Sequence, residues 1–276
     1  MSLEDPLKLH VRTVPVHRRL LHVVTLRPTS KTRFSTNYFH DTWHILGDAD
    51  GAALFGRLLW GLAFQRRPGT LLMIDAPHVT TTPFEGDAPD PIVVVPAGVT
   101  KVEDDTLRAL RLRLRRSPMP PKTIRWHTFG MPAAIEDTAR WARGGTYSRP
   151  EQRRLRTREF VSRRGGYICM TLPPALLREH GADIYAMSRR GSGYHPIAES
   201  RRDRGWSGDG EFQLIGGFDT LVSAARTARA AIAPDRRDRL ADSDIYRDIY
   251  DRAYANATQL RQARRATTMR RRAAGT

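Results

Sequence analysis

The chain has 276 residues, with 46 lysines and arginines against 29 aspartates and glutamates, a formal net charge of +17. Charge of this size opposes compaction unless a polyanion neutralises part of it, which argues against a self-contained enzyme of small neutral substrates and for nucleic acid as the partner. Apolar residues make up 40% of the chain, enough for a core, and the single cysteine, Cys169, excludes an internal disulfide and a multi-cysteine zinc site.

After a polar lead, Leu20 to Arg27 reads as a strand rich in β-branched residues. Pro28 to Thr36 is a polar loop carrying Lys31 and Arg33. The clearest helix spans about Asp50 to Gln65: Leu54, Leu58 and Leu62 recur every fourth residue, with Phe55 and Leu59 beside them, forming one wide apolar face. Asp48 or Asp50 can cap its start, and Arg66-Arg67-Pro68-Gly69 stops it. Leu71 to Asp75 and Ile92 to Val95 are short apolar runs bounded by Pro and Gly, the signature of buried strands. Glu103 to Arg116 opens with acidic residues as a helix does, although Leu110, Leu112 and Leu114 alternate with arginines; a helix is expected.

Ser117-Pro118-Met119-Pro120-Pro121 interrupts the chain and is the expected domain boundary. Beyond it come an extended segment, Thr123 to Thr128, and a short helix, Ile135 to Ala142, that ends at Gly144-Gly145. Ser148 to Arg164 is arginine-rich and reads as an exposed helix or a mobile arm. Gly166 to Leu172 reads as a strand around Cys169, a small buried hydrophobe, and Arg189 to Gly210 as a loop. Phe212 to Ile215 reads as a last strand, followed by helices at Phe218 to Ile232 and Asp242 to Arg261 and a basic tail. This order suits an α+β fold of ferredoxin-like (RRM-like) type. Two such domains in tandem are expected, at 1–117 and 118–217, with C-terminal helices and the basic tail at 218–276.

Chemistry concentrates in the loop Ser188-Arg189-Arg190-Gly191-Ser192-Gly193-Tyr194. Glycines let backbone N–H groups approach phosphates, Arg189 and Arg190 neutralise them, and Tyr194 can stack on a base. Only Lys8, Lys31, Lys101 and Lys122 are lysines, so arginine, which grips phosphate through a planar fork, dominates the positive charge. A G+C-rich genome also writes arginine for lysine, but that leaves the excess over acids unexplained. His40-Asp41-Thr42-Trp43-His44 has the i, i+4 histidine spacing of a helical zinc site, yet no third ligand follows. His17, His22 and His44 are candidate general bases without a visible partner. No nucleotide-cradling, nucleophile-elbow or dinucleotide motif is present, so no cofactor is expected. Met1 to Pro6 does not open a signal peptide and no apolar run approaches the roughly 20 residues that span a bilayer, so a cytoplasmic location without a membrane partner is expected.

Several of these pieces, in this order, resemble the RAMP superfamily of CRISPR proteins, above all the subunit of class 1, type III-like effector complexes that caps the 5′ end of the guide RNA. Leu54-Phe55-Gly56-Arg57-Leu58-Leu59-Trp60-Gly61-Leu62 is similar to that family's helix phrase "LFGALCWAL". Leu71 to Pro77 and Pro91 to Pro96 are similar to its strand steps, and Pro121 to Trp126 to its "KKIRW" step. Arg189 to Tyr194 is the counterpart of its glycine-rich loop, with His195-Pro196 where the family carries a further glycine. The resemblance covers residues 20 to 195 with gaps; the arginine-rich stretch 148–164 and the C-terminal basic helix have no place in it.

The resemblance implies two ferredoxin-like domains that hold the repeat-derived 5′ handle of a crRNA, a single-stranded RNA, without catalysis, docked against a backbone subunit and a large subunit. Lys31, Arg33 and the segment Arg189 to Tyr194 are the expected RNA contacts. Two alternatives compete. One is a metal-independent endoribonuclease that processes the crRNA precursor through His44 or His22; the other is a general DNA-binding protein using its basic C-terminal helix.

Overall fold

The structure, a computed structural model, describes residues 6–116, 121–143, 160–189, 191–202, 205–232 and 242–274. The polar lead is in fact the longest strand of the main sheet, β1 (Leu7–Val16), in which Leu7 and Leu9 are buried while Lys8 between them is exposed. It turns through His17, held at φ 52°, into β2 (Arg19–Thr25), whose Leu21, Val23 and Val24 are core. The polar members of β1 disguised its alternation.

The following elements are β3 (Ser35–Phe39), β4 (Thr42–Gly47), α1 (Ala49–Ala63), β5 (Thr70–Ile74), β6 (Ile92–Pro96) and α2 (Asp104–Arg116). Then come β7 (Lys122–Trp126), α3 (Met131–Arg143), β8 (Phe160–Arg164), β9 (Tyr167–Leu172) and α4 (Pro174–Met187). The last are β10 (Gly193–Arg202), β11 (Gly205–Leu214), α5 (Phe218–Ala230) and α6 (Asp242–Ala274). Seven strands form one mixed sheet in the order β7-β1-β2-β5-β6-β9-β8, with β2/β5 and β6/β9 parallel and the other pairs antiparallel. The remaining four form a second mixed sheet, β10-β11-β4-β3, with β11/β4 parallel. The chain is therefore α+β. Strands on both sides of the proline break at 117–121 share the larger sheet.

Two compact units divide the chain: Met1–Val79 with Asp90–Gly216, and Thr80–Pro89 with Gly217–Thr276. In the first, α1 lies among both sheets and α4, so its Leu54, Phe55, Leu58, Leu59 and Leu62 join Leu9, Val24, Leu72, Val94 and Met170 of one sheet and Ile45 and Phe212 of the other. Because α4 closes on its remaining side, α1 is buried almost all round, where its sequence shows one apolar face. Gly56 and Gly181 permit that approach: a Cβ on Gly56 would stand 2.5 Å from the Gly181 carbonyl oxygen. The opposite face of the large sheet is covered by α2, whose Leu107 and Leu110 pack on Val14, Leu21, Val23, Val93 and Cys169. In the second unit, Ala224, Ala225, Ala228 and Ile232 pack against Ile249, Ala253 and Ala257 of α6, which runs to Ala274, beyond the expected end at Arg261.

Three expectations are corrected. The segment Arg189 to Gly210 is not a loop: from Gly193 it forms the β10–β11 ribbon. A backbone ladder needs no apolar side chains, which is why a Gly-, Ser- and Arg-rich stretch hid it. His40 to His44 is not helical either; His40 and Asp41 sit at φ 49° and 58° in the two-residue turn between β3 and β4. The end of the expected arginine arm, Phe160–Arg164, is strand β8, and residues 148–159 lie outside the described residues.

Candidate nucleic-acid interface

The backbones of two segments expected to contact RNA, at Arg33 and at Gly191, come close to the N-terminus of α1. Asp48 caps the helix, its Oδ1 accepting from the Gly51 N–H at 2.7 Å. Gly47, at the end of β4, accepts through its carbonyl from the Ile215 N–H at 2.8 Å. The next residue, Gly216, lies against Gly191: a Cβ there would be 3.1 Å from the Gly191 carbonyl oxygen. On the other side, a Cβ on Gly51 would be 3.8 Å from the Arg33 carbonyl oxygen and 3.5 Å from the Phe34 ring. The loop bearing Lys31 and Arg33 and the segment Gly191 to Tyr194 thus end in one neighbourhood, although more than 150 positions separate them in sequence.

Within this neighbourhood Lys31 is exposed, and the Arg33 guanidinium donates to the Lys31 carbonyl at 3.3 Å, which folds it onto its own loop. Arg189 is exposed just past the C-terminus of α4; Gly191, Ser192 and Gly193 are exposed as well. Tyr194, the second residue of β10, stands opposite Gln213 with 72% of its surface accessible, an exposed aromatic ring beside Gly193. Arg190 lies outside the described residues.

The candidate bases behave differently. His44 accepts or donates on both ring nitrogens: Nδ1 meets Asn37 Oδ1 at 3.0 Å and Nε2 meets Glu211 Oε1 at 3.1 Å. Gln213 in turn donates to the same Glu211 carboxylate. Burial holds the His44 imidazole below the ordinary histidine range, with Glu211 pulling the other way. His22 Nδ1 contacts Thr13 Oγ1 at 3.0 Å, and burial lowers its pKa too. Neither ring is aimed at open solvent: both are about 5% exposed. Among the described residues no group of three or more His, Cys, Asp or Glu side chains can hold a metal ion, and His40 and His44 lie on a turn and a strand.

A histidine pair escaped the sequence reading. His180 Nδ1 of α4 lies 2.9 Å from His195 Nε2 of β10, directly after Tyr194. Loss of solvent pushes His195 down to about 4; Asp183 opposes that shift, and His180 reinforces it. One ring therefore donates and the other accepts. No motif joins residues 15 apart on a helix and a strand, so only the fold could bring them together. No family model, curated protein or solved structure matches this chain.

Proposed function

We propose that this protein holds single-stranded RNA without cutting it, as the crRNA 5′-handle-binding subunit of a cytoplasmic CRISPR class 1 effector complex, beside a backbone subunit and a large subunit. The observation that carries this reading is the meeting of the Lys31–Arg33 loop with Gly191–Tyr194 at the start of α1. Exposed cations, backbone glycines and an exposed tyrosine ring supply phosphate neutralisation and base stacking, which need no catalytic group. The reading includes ferredoxin-like halves. Helix-on-sheet layering favours it, whereas the direct parallel pairing of β2 with β5 departs from the split β-α-β crossover of that motif.

The engaged ring nitrogens of His44, inside the second sheet, favour holding over cleavage. The test is co-expression with the genomic neighbours, followed by sequencing of bound RNA and by binding of the repeat-derived handle at fixed salt. A discrete repeat RNA, left intact in EDTA, is expected. Arg33→Glu with Arg189→Glu should weaken handle binding about tenfold or more, the scale of a lost charge-assisted contact. Absence of repeat RNA overturns the reading, and EDTA-resistant cleavage lost in His44→Ala would replace it with the nuclease. α6 continues past Ala257, which packs against α5, through an arginine-rich end to Ala274, and this favours a second reading. For a general DNA-binding role, affinities for duplex DNA and single-stranded RNA should be equal and both lost on deleting 261–276.

A further inference from the structure

Among the described residues, α2 leaves the β7–β1 end of the sheet face it covers open. Side chains alternate along a strand, so Lys8, His10 and Arg12 of β1 share that face with Val14 and Val16, which pack under α2. Register places Arg125 of β7 opposite Lys8, and Thr123 opposite His10. On the other side of β1, Thr25 stands opposite His10, and Arg27 follows two residues later. Burial, and after it the nearby Arg27 and Arg12 guanidinium groups, disfavour protonation of His10. Lys8, Thr123 and Arg125 are exposed, and His10, Arg12 and Arg27 are half-buried.

No described carboxylate lies within 4.0 Å of Lys8, Arg12, Arg27 or Arg125. The buried Arg27 Nε also has no hydrogen-bond partner among the described residues. Continuing the parallel β2–β5 register brings Asp75 beside Arg27, at more than 4.0 Å from its guanidinium, and the Asp75 carboxylate accepts from the Ala76 N–H at 2.7 Å. Like charges placed directly opposite across a strand pair are destabilising, and Lys8 with Arg125 is such a pair. An anion on this face would relieve that repulsion.

The alternation continues beyond β7. Thr123, Arg125, His127 and Phe129 are exposed, while Trp126 and Thr128 are buried. The His127 and Phe129 rings stack 4.8 Å apart at 8°, and Phe129 is 79% exposed. This ring is held out by a built turn: Gly130 takes φ +76°, the Met131 N–H donates to the Thr128 carbonyl, and Trp60 Nε1 donates to the Phe129 carbonyl at 3.2 Å. Alternate residues of one strand are about 6.5–7 Å apart, close to the spacing of phosphates along an extended single strand.

We infer that Lys8, His10, Arg12, Arg27 and Arg125, with the His127–Phe129 stack, form a second, sequence-tolerant platform for single-stranded nucleic acid. The cations follow the phosphates and a base lies on Phe129. It uses none of the residues that carry the guide-RNA reading. The probe is a 15-residue oligouridylate, titrated at several salt concentrations against full-length protein.

Wild type should bind, and Lys8→Glu/Arg12→Glu/Arg125→Glu should weaken binding at least tenfold. The same variant should reduce the slope of log K against log salt by about 2, since each single-strand phosphate contact contributes about 0.7. Phe129→Ala should cost about tenfold with the slope unchanged, as stacking is not ionic. An oligodeoxythymidylate of equal length should bind comparably. Far-ultraviolet circular dichroism and the urea midpoint identify any misfolded variant, in which case the milder Arg125→Thr with Phe129→Ala replaces it. Unchanged affinity and slope in the folded variants, or tighter binding of duplex than of single strands, overturns the platform. Oligouridylate binding that depends on the platform while no repeat RNA is carried would sustain this inference and remove the guide-RNA reading; the converse result would do the opposite.

Discussion

Gly56 and Gly181 show how single residues decide whether this core can close. Their helices touch backbone to backbone, since a Cβ on Gly181 would stand 2.8 Å from the Gly56 carbonyl oxygen and 3.1 Å from the Trp60 nitrogen. Neither obstacle is the movable end of a side chain. Gly56→Ala should therefore lower the urea-unfolding free energy by about 1–3 kcal/mol despite the higher helix propensity of alanine. At Gly61 the obstacle is instead a side chain: a Cβ there would stand 2.6 Å from the Trp126 ring. The glycines are plain in the phrase Leu54 to Leu62, and glycine inside a helix implies a packing reason. What they pack against is not visible there, because α4 lies more than a hundred residues downstream.

Among elements, the β3–β4 hairpin makes a comparable demand on its turn. Two-residue turns of this kind place both central residues at positive φ and favour Asn-Gly, yet His40 and Asp41 occupy them. Left-handed backbone costs ordinary residues about 1–2 kcal/mol. The replacement His40→Asn/Asp41→Gly should raise stability by about 0.5–1 kcal/mol, once the exposed Phe39–His40 stack and the Tyr38–Asp41 contact are lost. Chemical denaturation of the double variant measures this. The same two residues explain why the hairpin was illegible: a turn without glycine or asparagine gave no punctuation, so His40 and His44 presented a helical spacing. By contrast β5, β6 and β9 are readable, because their apolar runs are continuous and bounded by Pro or Gly, and α1 is readable from leucines that recur every fourth residue. α2 was readable despite its alternating leucines: Leu107 and Leu110 are buried while Leu112 is exposed, so its core contact repeats with helical period.

For the whole molecule, titration follows from where the histidines lie. His10, His22, His44, His78 and His195 are all held below the ordinary value of 6.5, chiefly by burial. Between that value and their folded values the unfolded chain binds more protons than the folded one, so stability rises with pH. It is fully present above about pH 6.5 and is lost as pH falls toward 4, with His195 alone contributing on the order of 3 kcal/mol. Glu85, whose carboxyl burial raises, works in the opposite direction near the acid end of the window. The urea midpoint should therefore be clearly lower at pH 5 than at pH 7.5; equal midpoints would show that these rings are solvated. Sequence composition supplied the sign of the molecule's charge but not its placement. Lys31, Arg33 and the Gly191 segment were identifiable singly, whereas the cations of β1 and β7 become one surface only through strand register.

The position of β7 has a further consequence. It is an outermost strand, and the outer edge of a sheet is where another chain can add a strand of its own. Lys122 and Arg125 line this edge, and Arg163 and Arg164 belong to β8 at the other, although there they are paired with Asp90 and Asp104. Of the two edges of the large sheet, β7 is therefore the one whose cations have no carboxylate partner among the described residues, and such charge repels a second copy of the same edge. A polyanion lying along β7 would cancel that repulsion, so the protection against self-association is strongest in the empty protein and weakest in the loaded one.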